Sequence, residues 1–156
     1  MNKPIGVLAL LAMTTAFSPV LADDAAFATG PVFEEFGPVA TVDADFAIPK
    51  GAVFKVVFDI SDGAELGELN RTLSTAARFL NMHARAGVPV ENMHLAISLH
   101  GTALFDIVNA ERYAQEYGDD AANANAPLVA ALLSKGVRII ACGQSTTRRD
   151  VAKADL

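Results

Sequence analysis

Val137-Arg138-Ile139-Ile140-Ala141-Cys142-Gly143-Gln144-Ser145 is the stretch that decides the fold. β-Branched and apolar residues dominate up to Ala141, Gly143 breaks the run, and Ser145-Thr146-Thr147-Arg148-Arg149-Asp150 has the cap-bearing polar composition of a helix start. A strand is predicted over 137–141, then a tight turn, then a helix capped by Ser145 or Thr146. Cys142 falls at the carboxyl end of that strand.

The same alternation continues outward from this segment. Pro127 can open a helix over 128–135 that Gly136 closes, after a polar loop running from Gly118 through Asp119-Asp120 to Asn123 and Asn125. Leu104, Ile107, Val108, Glu111 and Tyr113 suit an earlier helix. Before it, His94-Leu95-Ala96-Ile97-Ser98-Leu99 reads as a strand ending in His100-Gly101. Leu66, Leu69, Leu73, Ala76, Ala77, Leu80 and Ala84 recur at helical spacing, with Asp62 three residues ahead of Glu65 as a start signal and Gly87 before Val88-Pro89 as the stop. That predicts a helix of about five turns. Phe54-Lys55-Val56-Val57-Phe58-Asp59-Ile60 is the first buried strand.

Near-continuous apolar strands separated by helices imply an α/β fold whose mostly parallel sheet is covered on both faces through right-handed crossovers. Ligands of such sheets sit at the carboxyl ends of strands. Asp59, His100 and Cys142 each fall at such an end and can converge on one rim, although the sequence leaves strand order open. Asp59 either orients a partner or caps the turn from Ser61 to Glu65. His100 is either a proton-exchanging group or a hydrogen-bonded strand end. Cys142, beside a helix start and near Arg148, is either a thiol of lowered pKa or a small buried hydrophobe.

The whole chain of 156 residues carries a net charge of −6, which speaks against binding nucleic acid through a general basic surface. Hydrophobic residues at 52% place it among folded chains rather than disordered ones. A single cysteine rules out an intramolecular disulfide and any site of several thiolates. His83 and His94 sit on separate elements, so no metal site is expected. No glycine-rich phosphate loop follows a strand and no Gly-x-Ser-x-Gly elbow surrounds Ser61, Ser98 or Ser145, so neither a nucleotide cofactor nor a serine hydrolase is expected.

Residues 1–22 have the form of an export signal: Lys3, an apolar run over 5–17, and Val20-Leu21-Ala22 before Asp23-Asp24. The run is short of the roughly 20 residues that span a bilayer. Cleavage after Ala22 would release a periplasmic protein that does not remain in the membrane, in a compartment that favours oxidised thiols. Residues 23–52 are rich in Gly and Pro and read as an extended arm, whose Phe27, Phe33, Phe36 and Phe46 suit a course across the domain or a neighbouring subunit. The α/β domain occupies 53–156.

His100-Gly101 after the second strand, together with Gly136-Val137-Arg138-Ile139-Ile140-Ala141-Cys142-Gly143-Gln144-Ser145, resembles the DsrE/DsrF-like family, specifically its exported members. The resemblance implies a flavodoxin-like three-layer sandwich and homo-oligomers such as trimers or hexamers. It also implies, by position, that Cys142 carries sulfane sulfur as a persulfide, exchanged with a periplasmic donor or acceptor protein. His100 would exchange the proton, while Gly101, Gly143, Gln144, Ser145 and Arg148 would surround the bound sulfur. Some relatives have a second cysteine where this chain has Ser145, which excludes a Cys-x-x-Cys couple. The sequence stops at Leu156, where the resembled fold continues to further strands, so either the sheet is trimmed at that edge or the sequence is incomplete. A non-catalytic assembly module, with Cys142 in the core, and a cleft that binds small anions without chemistry are the competing readings.

Overall fold

In a computed structural model the described residues are 26–156; the leader expected over 1–22 lies outside them. In chain order they form β1 (Phe27–Ala28), β2 (Val39–Ala40), β3 (Phe54–Ile60), α1 (Arg71–Arg85), β4 (Met93–Leu99), α2 (Ala110–Tyr117), α3 (Ala126–Ser134), β5 (Arg138–Ala141) and α4 (Gly143–Arg148). Short 3-10 turns cover Val90–Asn92, Gly101–Ile107 and Lys153–Asp155. β1 and β2 pair antiparallel, apart from a parallel sheet in the order β3-β4-β5.

Alternation along the strands sorts the side chains into two faces. Ile60, Met93, Leu95, Ile97 and Leu99 are buried, and Phe54, Val56, Phe58, Ile139 and Ala141 pack beside them. They meet Leu73, Ala76, Ala77 and Leu80 of α1 and Leu128 and Leu132 of α3, all at most 1% exposed. β4 is central, which is why its inward residues are the most completely enclosed.

The opposite face is open. Lys55, Val57 and Asp59 of β3, His94 of β4 and Arg138 and Ile140 of β5 are exposed, Val57 at 68%. Covering helices were expected on both faces. The strand order explains the difference: when β3, β4 and β5 follow one another in a single direction, crossovers of one hand put their helices on one side. α1 and α3 accordingly touch each other and leave the far face bare among the described residues.

α1 starts later than the leucine spacing suggests. Asn70 is its cap, its Oδ1 accepting from Thr72 N at 2.9 Å and Leu73 N at 3.4 Å, and residues 61–69 form a loop in which Leu66 and Leu69 are exposed. Asp62 and Glu65 therefore do not open the helix. The helix expected after His100 is broken in two at Val108, whose backbone is extended, because Asn109 caps α2 by accepting from Arg112 N. Phe105, Val108, Tyr113 and Val151 make a second small core there, with the Arg112 guanidinium 4.9 Å above the Phe105 ring.

Asn81 fastens residues 27–48 to the back of α1. Fully buried, it accepts from Val32 N and Phe33 N through Oδ1 and donates through Nδ2 to the carbonyls of Phe33, Phe36 and Gly37. Arg85 donates to the carbonyls of Ala28, Thr29, Gly30 and Val39. Phe33 joins the core at 5% exposure, whereas Phe46 is left 89% exposed.

Candidate functional site

The carboxyl ends of the three parallel strands form one rim. Pairing puts Asp59 beside Ser98 and Ser98 beside Ile140, so Asp59, Ser98 and His100 rise on the open face of the sheet. His100 Nε2 lies 2.9 Å from Asp59 Oδ1 and 2.9 Å from Ser98 Oγ. Of the two roles expected for Asp59, the structure shows the orienting one. Side-chain exposures of 36% for His100 and 68% for Asp59 leave this pair in contact with water.

Cys142 follows β5 and occupies the N-cap position of α4, while its own N–H donates to Leu99 O at 3.0 Å. The thiol is partly exposed. The sequence suggested Ser145 or Thr146 as the cap of α4; Cys142 takes that position instead, and both residues lie inside the helix. Ser145 faces the sulfur instead. Its backbone N–H, its hydroxyl, the Gln144 N–H and the His100 ring favour the thiolate, in that order of strength, and lower the thiol to about 7. Reciprocally, the hydrogen bond to Cys142 raises His100 above the usual imidazole value against some desolvation, with Asp59 adding to the rise.

Gly101 belongs to the same assembly. Its N–H donates to Ser145 Oγ at 3.2 Å, which leaves the Ser145 O–H to point at the sulfur. The Gly101 amide is thus engaged within the rim and acts on the sulfur through Ser145. Gly143 is exposed and its carbonyl accepts from the hydroxyls of Thr146 and Thr147. The N–H groups turned to the thiolate come from Gln144 and Ser145 rather than Gly143. Arg148 stands exposed in the last turn of α4, apart from the groups that hold the thiolate.

A buried polar network keeps the rim in place, and sequence reasoning missed it. Asp106, 3% exposed, accepts from Ala64 N, from Asn70 Nδ2 at 2.7 Å and from Asn125 Nδ2. Burial raises its pKa, and the donors from Ala64 and Asn70 oppose that rise. Asn125 Oδ1 in turn accepts from Asn70 N at 2.7 Å, and Gly63 N donates to Thr102 Oγ1 at 2.9 Å. The loop after β3 is thereby tied to the turn after β4. A carboxylate between Phe105 and Ile107, in an otherwise apolar stretch, was the available signal.

Among the described residues no group of three or more His, Cys, Asp or Glu is placed to hold a metal, and no helix is long and apolar enough to cross a membrane. A groove of about 600 Å³ lies between residues 39–48 and the end of α1, and none of the rim residues lines it.

A model of the DsrE/DsrF-like family matches residues 55–156, the segment that contains the sheet, the rim and the thiol. The chain belongs to the DsrE/DsrF-like family. It is a flavodoxin-like α/β member of this sulfur-relay-related group. No curated protein and no solved structure matches the chain.

Proposed function

We propose that this DsrE/DsrF-like chain is an exported, periplasmic sulfur carrier whose single cysteine holds sulfane sulfur as a persulfide. The observation that carries the reading is Cys142 itself: a reachable thiol lowered to about 7 by Ser145, Gln144 and His100. At neutral pH a large share of it is the nucleophilic thiolate. The thiolate attacks the outer sulfur of a donor persulfide or polysulfide, a sulfur–sulfur bond forms on Cys142 as the donor's sulfur–sulfur bond breaks, and the donor leaves as a thiolate or as a polysulfide one sulfur shorter. An acceptor thiolate then attacks the outer sulfur and releases Cys142. No net oxidation occurs in either step. A lone cysteine suits this duty, since the chain has no second thiol to discharge the persulfide.

Exposed Val57 and Ile140 on the bare sheet face, next to the rim, favour assembly with further copies or with a donor or acceptor protein. Mass spectrometry after incubation with polysulfide tests the carrier role. We expect a gain of one sulfur atom on Cys142 in the folded chain, removed by a thiol reductant. Absence of the adduct, or equal labelling of unfolded protein, overturns the reading and leaves an assembly module.

A further inference from the structure

We propose that Asp59 is a positioning residue for the thiol: by accepting the Nε2 proton of His100, it fixes the ring so that Nδ1 is the nitrogen that takes the proton of Cys142. The inference deepens the carrier reading and rests on it only for the use to which the thiolate is put.

The geometry supports one tautomer over the other. Two oxygens lie 2.9 Å from Nε2, the carboxylate Oδ1 of Asp59 and the hydroxyl of Ser98. The hydroxyl can donate or accept, whereas an ionised carboxylate only accepts. Were Nε2 unprotonated, the Ser98 hydroxyl could donate to it, but the Asp59 oxygen would face a lone pair at hydrogen-bond distance. With the proton on Nε2, the N–H donates to Asp59 in a charge-assisted bond and Ser98 Oγ serves as a second acceptor. The neutral ring then keeps its basic lone pair on Nδ1. When the S–H bond of Cys142 breaks, its proton passes to Nδ1, giving a thiolate and an imidazolium whose Nε2–H still rests on Asp59. The titratable groups acting on His100 are Asp59 from β3 and Cys142 from the end of β5; His100 is the titratable group acting on Cys142. Of the groups that hydrogen-bond the sulfur, Asp59 bonds to His100 alone, so its influence runs through the ring.

Asp59→Asn is the informative change. Its amide can donate to Nε2 and so favour the opposite tautomer, with little change in volume. In the full chain, nitrogen NMR of His100 above its titration should show the Nε2–H tautomer, and Asp59→Asn should shift it toward Nδ1–H. The rate of Cys142 alkylation by iodoacetamide at neutral pH should fall about three- to tenfold, as expected for loss of a nearby opposite charge at a partly solvated site. Asp59→Glu should recover part of the rate. On a His100→Ala background Asp59→Asn should have no further effect, since coupled residues are not additive. Nδ1–H in the unaltered protein, or an equal rate loss with and without His100, overturns the proposal. Circular dichroism and the melting temperature identify a misfolded variant, and the Asp59→Glu arm and the tautomer of the unaltered chain decide the matter in that case. These readouts involve no sulfane sulfur, so the carrier reading can fail in the polysulfide experiment while the Asp59 assignment stands, and the reverse.

Discussion

Gly101 shows how narrowly the rim is specified at the scale of single residues. Its φ is +52°, and a Cβ there would meet Ser61 O at 2.5 Å. Since its N–H also aims the Ser145 hydroxyl, Gly101→Ala should lower stability by roughly 1–3 kcal/mol and slow Cys142 alkylation at neutral pH. At Gly143 the backbone is not left-handed and an added Cβ would meet nothing within 4 Å, so Gly143→Ala should leave the melting temperature little changed. Equal behaviour of the two variants would refute this account of the turn. Cys142 and His100 were legible in the sequence because strand ends are marked by the change from apolar run to Gly. Ser98 was not legible as a site residue: alternation with Ile97 and Leu99 gives its face, but its neighbours on that face depend on strand order. The choice between two roles for Asp59 depended on a neighbour 41 residues away, which local pattern does not contain.

At the scale of elements, α1 carries both halves of the molecule: Leu73, Ala76, Ala77 and Leu80 face the sheet while Asn81 and Arg85 hold the arm. Asn81→Ala would orphan the buried Phe33 N–H and the neighbouring Val32 N–H. Unpaired buried groups cost about 1–3 kcal/mol each, so a loss of roughly 2–5 kcal/mol is expected, read as a lower urea midpoint. Limited proteolysis should then cut within 27–48 before the sheet domain. An unchanged midpoint would show that the arm does not depend on Asn81. The three strands of the parallel sheet were legible because their apolar and β-branched runs are bounded by Gly and Pro, whereas the two-residue pair β1 and β2 inside the arm was not. The start of α1 was not: Leu66 and Leu69 imitate helical spacing, while the true start is set by Asn70, whose amide is also required by Asp106 at 36 residues' separation. Tertiary demand overrode the local period.

At the scale of the molecule, the described residues make a one-directional sheet with helices on one side, and that order was what the sequence could not supply. It brings Asp59, His100 and Cys142 to one rim, and it also leaves the face beneath them bare, two consequences of a single topology. No isolated segment holds the thiolate: the sulfur follows β5, its N–H donors come from α4, and its imidazole stands at the end of β4 beside a carboxylate of β3. Activation of Cys142 is therefore a property of the assembled fold and must disappear when the fold does. The direct test is the pH dependence of Cys142 alkylation, measured in the folded chain and again in denaturant. The account predicts an inflection at about 7 when folded, moving up toward the ordinary thiol range on unfolding. A folded thiol that is inert, or one that titrates where the unfolded one does, would contradict it.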